Sequence, residues 1–392
     1  MHILIIGGGP AAVEAALSAR EQNKQADITI VSNENILPYR RPLLLRMLSE
    51  NITPERFFMH DMEFYQQKRI HVMLDSHLQS IDPEQQLVYI NNNQVLAYDQ
   101  LLLATGSTPR CIQLGSENSE RICYFYNYQD MLRIREKISG NSSSLRVIII
   151  GGGFLGLETA AQLLLHHCQV TLIEHNALLL PGCLEKTHSD FLRKKLQSLP
   201  DLTILTNCQV QKIISLPHGA VCRVAADFTR QLSADFIIAA AGSERNEPVW
   251  LKNSTGTENS EKYVQPLHVN DYLQLEGYEN IYAAGDCAKH IYVPGGSYSE
   301  AKHMGAVAGM NITGSHRKFI PLPREVRGKI GDITVYVAGN TRDPLLKAIH
   351  KFDDQSMQTL YYRNNLLEGC VLINDISMAS SLYQTIARNI VY

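Results

Sequence analysis

Two short stretches of this sequence hold the residue types that binding a diphosphate requires. Gly7-x-Gly9-x-x-Ala12 follows the apolar run His2-Ile3-Leu4-Ile5-Ile6, and Gly151-x-Gly153-x-x-Gly156 follows Arg146-Val147-Ile148-Ile149-Ile150. The first glycine of each permits a tight turn after a strand. The second lets the backbone approach a pyrophosphate, and the third small residue lets a helix pack on the strand. The free N–H groups at the start of that helix then face the anion. A carboxylate about 20 residues further on completes the pattern, because it accepts hydrogen bonds from a ribose hydroxyl pair. Glu34 stands just past Asp27-Ile28-Thr29-Ile30-Val31, and Glu174 directly ends Gln169-Val170-Thr171-Leu172-Ile173. An acid at the end of that second strand repels a 2′-phosphate, and no arginine pair follows Glu174, so NADH is expected over NADPH.

Other chemistries lack their residues. None of the eight cysteines forms a C-x-x-C or C-x4-C pair, and no zinc-like or iron–sulfur-like spacing is present. Metal ligands are therefore not expected, and the thiols read as buried and reduced. A Ser/His/Asp elbow, an H-E-x-x-H helix and a P-loop are also missing, which leaves hydrolysis and phosphoryl transfer without support. The formal net charge is only −3, so global charge does not point to nucleic acid. No apolar run of about 18 residues suggests a spanning helix, and the N-terminus enters a strand without a leader-like pattern. A cytoplasmic location with no membrane partner is expected.

The elements that must position these turns repeat at domain scale. Each glycine turn lies between a continuous apolar run, as suits a parallel strand buried on both faces, and an amphipathic helix. YDQLLLATGSTPR (98–110), ADFIIAAAGSERN (234–246) and ENIYAAGDCAKH (279–290) read as further apolar strands ending in glycine turns. From about Pro321 the pattern changes to short strands, DITVYVAG, QTLYYRN and LEGCVLIND, closed by a helix over 377–390. The fold class expected is α/β: two doubly wound, Rossmann-like dinucleotide domains plus a small C-terminal α+β domain. Two such sites in one chain imply electron traffic between two cofactors.

The order GGGPAA, LLLATGSTPR, GGGFLGLETA…VTLIE and IYAAGDCA resembles the FAD-dependent pyridine nucleotide oxidoreductases over residues 1 to about 315. The C-terminal GKIGDITVYVAG and LYYRNNLLEGCVLIND resemble, more loosely, the cap domain of NADH:rubredoxin reductases and the flavin part of nitrite reductases. The resemblance implies a discontinuous FAD-binding domain over 1–110 and 246–318, an NADH-binding domain over 111–245 and a cap over 319–392. It places Gly7, Gly9, Pro10 and Ala12 along the FAD pyrophosphate, Glu34 on the adenosine ribose and Leu78 by the adenine. Ala104, Thr105, Gly106 and Arg110 belong to the loop that closes over FAD, and Gly285 and Asp286 to the ribityl chain. Asp286 could also cap the helix that follows. On the NADH side it implies Gly151, Gly153, Gly156 and Glu174, with Phe154 as an aromatic gate and Gly242 facing the nicotinamide.

The stretch NILPYRRPLLLR, residues 35 to 46, resembles the family's PYxRPxLSK. Arg41 and Pro42 would run beside the FAD pyrophosphate and ribityl chain. Arg46 replaces the family lysine near the reactive flavin nitrogen, and the resemblance implies that it pairs with Glu158, the GLE carboxylate by the nicotinamide. Those two are the expected catalytic residues. Disulfide-reducing relatives place their redox cysteines in this stretch; here there are none, so the reduced flavin must give its electrons outward. The expected activity is hydride transfer from NADH to FAD and onward transfer to a small acidic carrier, a rubredoxin or ferredoxin. Arg40, Arg324, Arg327 and Lys329 are candidates for a basic rim that steers it. The alternatives are an NADH oxidase acting on oxygen or a small molecule, and an electron-relay subunit of a larger dehydrogenase.

Overall fold

The computed structural model describes residues 1–91, 94–112, 121–139, 144–216, 219–225, 229–252, 261–291, 293 and 295–389. The chain divides into two compact units. The first comprises Met1–Pro42, Ile52–Thr108 and Glu244–Pro321; the second comprises Leu43–Asn51, Pro109–Ser243 and Leu322–Tyr392.

The core of the first unit is a five-stranded parallel sheet in the order Ile70–Met73, Asp27–Val31, His2–Ile6, Gln100–Leu103, Ile281–Ala283. His2–Ile6 is central, and Ile3, Leu4 and Ile5 are fully buried. This is why the run shows no alternation: both faces are covered. The helix Pro10–Gln22 lies against the helix Tyr298–Ile312 through small residues. A Cβ on Gly305 would fall 2.2 Å from the Ala11 carbonyl oxygen, and one on Gly309 2.2 Å from that of Ala15. Glycines four apart thus let the two backbones touch, which fixes the helix that opens at the first glycine turn. A second five-stranded sheet, mixed, runs Glu261–Val264, Val249–Lys252, Leu78–Asp82, Leu87–Ile90, Gln94–Ala97.

The second unit repeats the parallel sheet in the order Leu202–Leu205, Gln169–Ile173, Arg146–Ile150, Phe236–Ala239, Ile122–Tyr124. Three antiparallel strands, Gln209–Leu216, Gly219–Ala225 and Thr229–Ala234, form a separate sheet. Its C-terminal part is a five-stranded antiparallel sheet ordered Glu325–Ile330, Ile333–Gly339, Leu366–Ile373, Met357–Arg363, Lys347–Phe352. The helix Ala379–Asn389 covers one face of it, burying Leu382 and Ile386 against Tyr336, Cys370 and Leu372. The expected α+β character of this region is present, with two further strands, Glu325–Ile330 and Lys347–Phe352, added to the three anticipated. Residues 140–143, within the Ser/Asn-rich stretch SGNSSSLR (139–146), lie outside the described residues. No described helix is long and apolar enough to cross a membrane.

Candidate functional site

The two glycine turns have the same construction. Gly7 N–H donates to the Val31 carbonyl at 2.8 Å, and Gly151 N–H to that of Ile173 at 2.8 Å. Gly7 (φ +130°) and Gly151 (φ +119°) take a conformation open to glycine, and a Cβ on either would lie 2.1 or 2.2 Å from the carbonyl oxygen of Ala104 or Ala240. Gly9 and Gly153 are the N-caps of the helices Pro10–Gln22 and Phe154–Leu165 and, as glycines, bring no side chain to the N-terminal amides. The space where their Cβ atoms would stand is open. A helix N-terminus capped by a glycine with room at its Cβ position is what a dinucleotide pyrophosphate needs, so both turns fit such a ligand. Pro10 sits in the first turn, where its missing N–H costs nothing. Ala12 is fully buried, and a Cβ on Gly156 would meet the Gly151 carbonyl oxygen at 2.0 Å.

Each turn has its carboxylate. Glu34 accepts the Tyr39 hydroxyl at 2.8 Å and Arg41 Nη2 at 2.7 Å. Tyr39 in turn stacks on Phe57, with ring centroids 4.9 Å apart. Glu174 is buried, and its oxygens accept the Gly152 N–H at 2.6 Å and the Asn176 N–H and side-chain amide at 2.7 Å. A carboxylate offers about four acceptor positions, so both acids retain capacity for a hydroxyl. Pro42, next to Arg41, is exposed, and Leu78 opens the strand Leu78–Asp82 opposite Ile90.

The remaining first-unit residues form one braced loop cluster. Asn246 donates its side-chain amide to the Thr105 carbonyl at 2.7 Å and its N–H to the Gly106 carbonyl at 3.0 Å. Asp286 accepts the Gly296 N–H at 2.8 Å and the Ser107 hydroxyl at 3.3 Å. Arg245 Nη1 donates to the carbonyls of Asp286 and Ala288 at 2.7 and 2.5 Å. Gly285 precedes Asp286 with φ +79°. The bracing role of Arg245 and Asn246 is not legible in the sequence. Asp286 does not cap a helix. The helix begins at Tyr298, capped by Ser297, whose hydroxyl accepts the Glu300 N–H at 3.3 Å. The Ser-x-x-Glu spacing of Ser297 and Glu300 is a capping-box signal legible in the sequence.

In the second unit, Phe154 is the first residue of its helix and Glu158 stands one turn later on the same face. Burial raises the pKa of Glu158, and the Lys329 N–H, donating at 2.8 Å, lowers it. The expected Arg46–Glu158 ion pair is absent, and this corrects the sequence reading. Arg46 bonds instead to Glu50, through Nε at 3.1 Å and Nη2 at 2.7 Å. The physical cause is the anchoring of its segment. Ser49 donates to the Gln162 side chain at 2.5 Å, and the His166 ring bonds the Leu48 carbonyl at 2.8 Å. Both anchors lie toward the C-terminal end of the helix, beyond Glu158. Gly242 (φ +95°) has open space around it, and its carbonyl accepts the Arg110 N–H at 3.0 Å.

Two expected rim cations are engaged. Arg40 bonds the carbonyls of Arg56, Phe58 and Met59. Arg324 bonds the Gly182 carbonyl at 3.1 Å and Cys183 Sγ at 3.3 Å. Arg327 and Lys329 are exposed. His303 bonds the Ile320 carbonyl at 3.0 Å, as suits a structural histidine. All eight cysteines are free, and only Cys111 is exposed.

The family model described as pyridine nucleotide-disulphide oxidoreductase matches residues 1–307. The chain belongs to that family. An NADH-rubredoxin oxidoreductase of Clostridium acetobutylicum is 26% identical over 388 residues, covering 98% of this chain and 94% of that protein. A nitrite reductase of Bacillus subtilis is 26% identical over 396 residues, covering 99% of this chain; the chain spans 47% of that protein's length. Among solved structures, a covalent putidaredoxin reductase–putidaredoxin complex matches with a TM-score of 0.85 at 20% identity, over 99% of this chain and 93% of that one. This last likeness bears out the α/β, doubly wound architecture. The family brings FAD and NADH as cofactors, and the two glycine turns supply cradles that fit them.

Proposed function

We propose that this chain is an FAD-dependent NADH oxidoreductase that delivers electrons to a small redox protein of the rubredoxin or ferredoxin type. The observation that carries the reading is the pair of equivalent glycine cradles in a chain whose 35–46 stretch holds no cysteine. In this reading the first unit holds FAD through Gly7, Gly9, Pro10 and Glu34, and the second holds NADH through Gly151, Gly153 and Glu174. Bound FAD supplies the step that converts a two-electron donor into single electrons: one NADH gives NAD⁺, a proton and two electrons, one for each of two acceptor molecules. The protein's own residues contribute binding, orientation and charge. Glu174 selects the coenzyme by its charge, and Phe154 and Glu158 border the nicotinamide. The name of the Clostridium relative supports the class of acceptor. Arg327 and Lys329 are exposed cations in a place to steer an acidic partner. Reduced thiols throughout suit a cytoplasmic location.

The test is anaerobic titration of the purified flavoprotein with NADH and, separately, NADPH, followed by addition of rubredoxin and ferredoxin. NADH should bleach the flavin, and an added carrier should restore its colour within turnover time. Equal reoxidation with and without every carrier would overturn the acceptor assignment. Oxygen uptake equal to NADH loss would instead support an oxidase.

A further inference from the structure

A third element of the second unit reaches the Phe154–Glu158 face of the helix. The strand Glu325–Ile330 is an edge of the C-terminal sheet, and an edge strand leaves alternate N–H groups without a ladder partner. The Lys329 N–H is given to Glu158 Oε1 at 2.8 Å. The preceding residue is glycine. A Cβ on Gly328 would stand 2.2 Å from Phe154 Cδ1, 2.5 Å from Cε1 and 3.3 Å from Glu158 Oε1. Gly328 pairs with Val335 in the sheet and has no positive φ. Its backbone would accept any residue; the Phe154 ring is what excludes a side chain. Two consecutive residues of one strand therefore serve two side chains one helical turn apart.

We propose that Gly328 and Lys329 are positioning residues of the coenzyme site: the Lys329 N–H orients the Glu158 carboxylate, and the bare Gly328 Cα gives the Phe154 ring its place. The proposal rests on the reading that Phe154 and Glu158 border the nicotinamide, and it makes the C-terminal sheet part of the NADH site. The backbone amide holds Glu158 in the role expected of a cation. The expected cation is otherwise directed: Arg46 is bonded to Glu50, and the Arg327 and Lys329 side chains on the strand itself are exposed. The side chain of Lys329 has no part in the proposal; its main-chain N–H does.

Substituting Lys329→Pro removes that donor at a position where an edge strand tolerates proline, whereas Lys329→Ala keeps it. The full-length flavoprotein without coenzyme, labelled with ¹³C at glutamate carboxyls, allows Glu158 to be titrated by NMR and assigned by its loss in Glu158→Gln. In Lys329→Pro the Glu158 midpoint should rise by about one pH unit, since one hydrogen bond to the ionised form is lost; in Lys329→Ala it should stay put. A folded Lys329→Pro protein that titrates like the parent would overturn the role of Lys329. Gly328→Ala, which keeps every N–H, tests the other half and also serves if the proline variant does not fold. It should weaken NADH binding about tenfold with flavin content retained, and shortening the ring in Gly328→Ala/Phe154→Leu should restore binding. Unchanged NADH affinity in Gly328→Ala would overturn the role of Gly328. If Glu158→Gln binds and oxidises NADH like the parent, the nicotinamide reading fails while the NMR shift still stands, so the two failures are distinguishable.

Discussion

The Glu174 carboxylate accepts the Gly152 N–H at 2.6 Å, which ties the end of one strand to the middle of the glycine turn after its neighbour. A Cβ on Gly152 would fall 2.9 Å from the Glu174 Cβ, so the close approach depends on glycine at 152. The acid therefore has a double task. It braces the turn, and in the proposed reading its negative charge meets the adenosine ribose of the coenzyme.

The expected consequence is coenzyme choice. Glu174→Gln keeps the size and much of the hydrogen bonding but removes the charge. The preference for NADH over NADPH should fall about tenfold, equivalent to about 1.4 kcal/mol, as read from dissociation constants by fluorescence titration. A variant that folds normally and keeps the parental ratio would mean that charge at 174 does not discriminate. Glu174→Ala should also lose stability, by about 1–3 kcal/mol, because it leaves buried donors unpaired.

A contrast between two glycines of one motif separates folding from binding. Gly7 combines φ +130° with a Cβ position 2.1 Å from a main-chain oxygen, whereas Gly9 has open space around it. Neither the backbone strain nor the clash at residue 7 can be relieved by a side-chain movement. Gly7→Ala should therefore yield little soluble protein or a sharply lowered melting temperature. Gly9→Ala should melt within a few degrees of the parent yet retain little FAD after desalting, measured by absorbance per chain. Full flavin occupancy in Gly9→Ala would show that the open space is not where the pyrophosphate lies.

Arg46 and Glu50 are both about half exposed, at 45% and 46%, four residues apart. A pair of that kind contributes only about 0.5 kcal/mol, and less in salt. Urea denaturation of Arg46→Ala should show a stability change within that range, and the Glu158 carboxylate should titrate as in the parent. A loss above about 2 kcal/mol would require a second partner for Arg46.

The same residue shows how far the sequence could be read. The central strands were legible because His2–Ile6 and Arg146–Ile150 are covered on both faces, which leaves an apolar run that nothing else explains. The glycine turns were legible because the chemistry of close approach admits so few residues. The strand Lys347–Phe352 was not: nearly every side chain on it is exposed, so burial imposed no pattern. Arg46 was assigned by resemblance to the family's lysine, although Glu50 stood four residues away at the spacing of a helical pair. Its segment is fixed by Ser49 and Leu48 on Gln162 and His166, contacts over 100 residues distant in sequence that no local pattern records. The Lys329 amide is a main-chain donor, and its partner depends on fold alone.

A pH dependence follows from His188. The side chain is fully buried; its Nε2 lies 2.8 Å from the Thr359 hydroxyl, which also meets His350 Nδ1 at 2.9 Å. Its Nδ1 is buried and has no hydrogen-bond partner among the described residues. Burial, and secondarily the nearby His350, lower its pKa from 6.5 to about 4. Between those values the unfolded chain binds a proton that the folded chain does not, so stability falls as pH falls. The loss begins as pH drops through 6.5 and is complete below about 4. Integrated over that window it amounts to roughly 3 kcal/mol. Urea denaturation at pH 7.5, 6 and 5 should show the parent losing stability faster than His188→Gln, which has no proton to take up; His60 and His290, also lowered by burial, contribute equally to both proteins and cancel. Parallel stability curves for the two proteins across this range would show that His188 is protonated in the folded state as readily as in the unfolded chain.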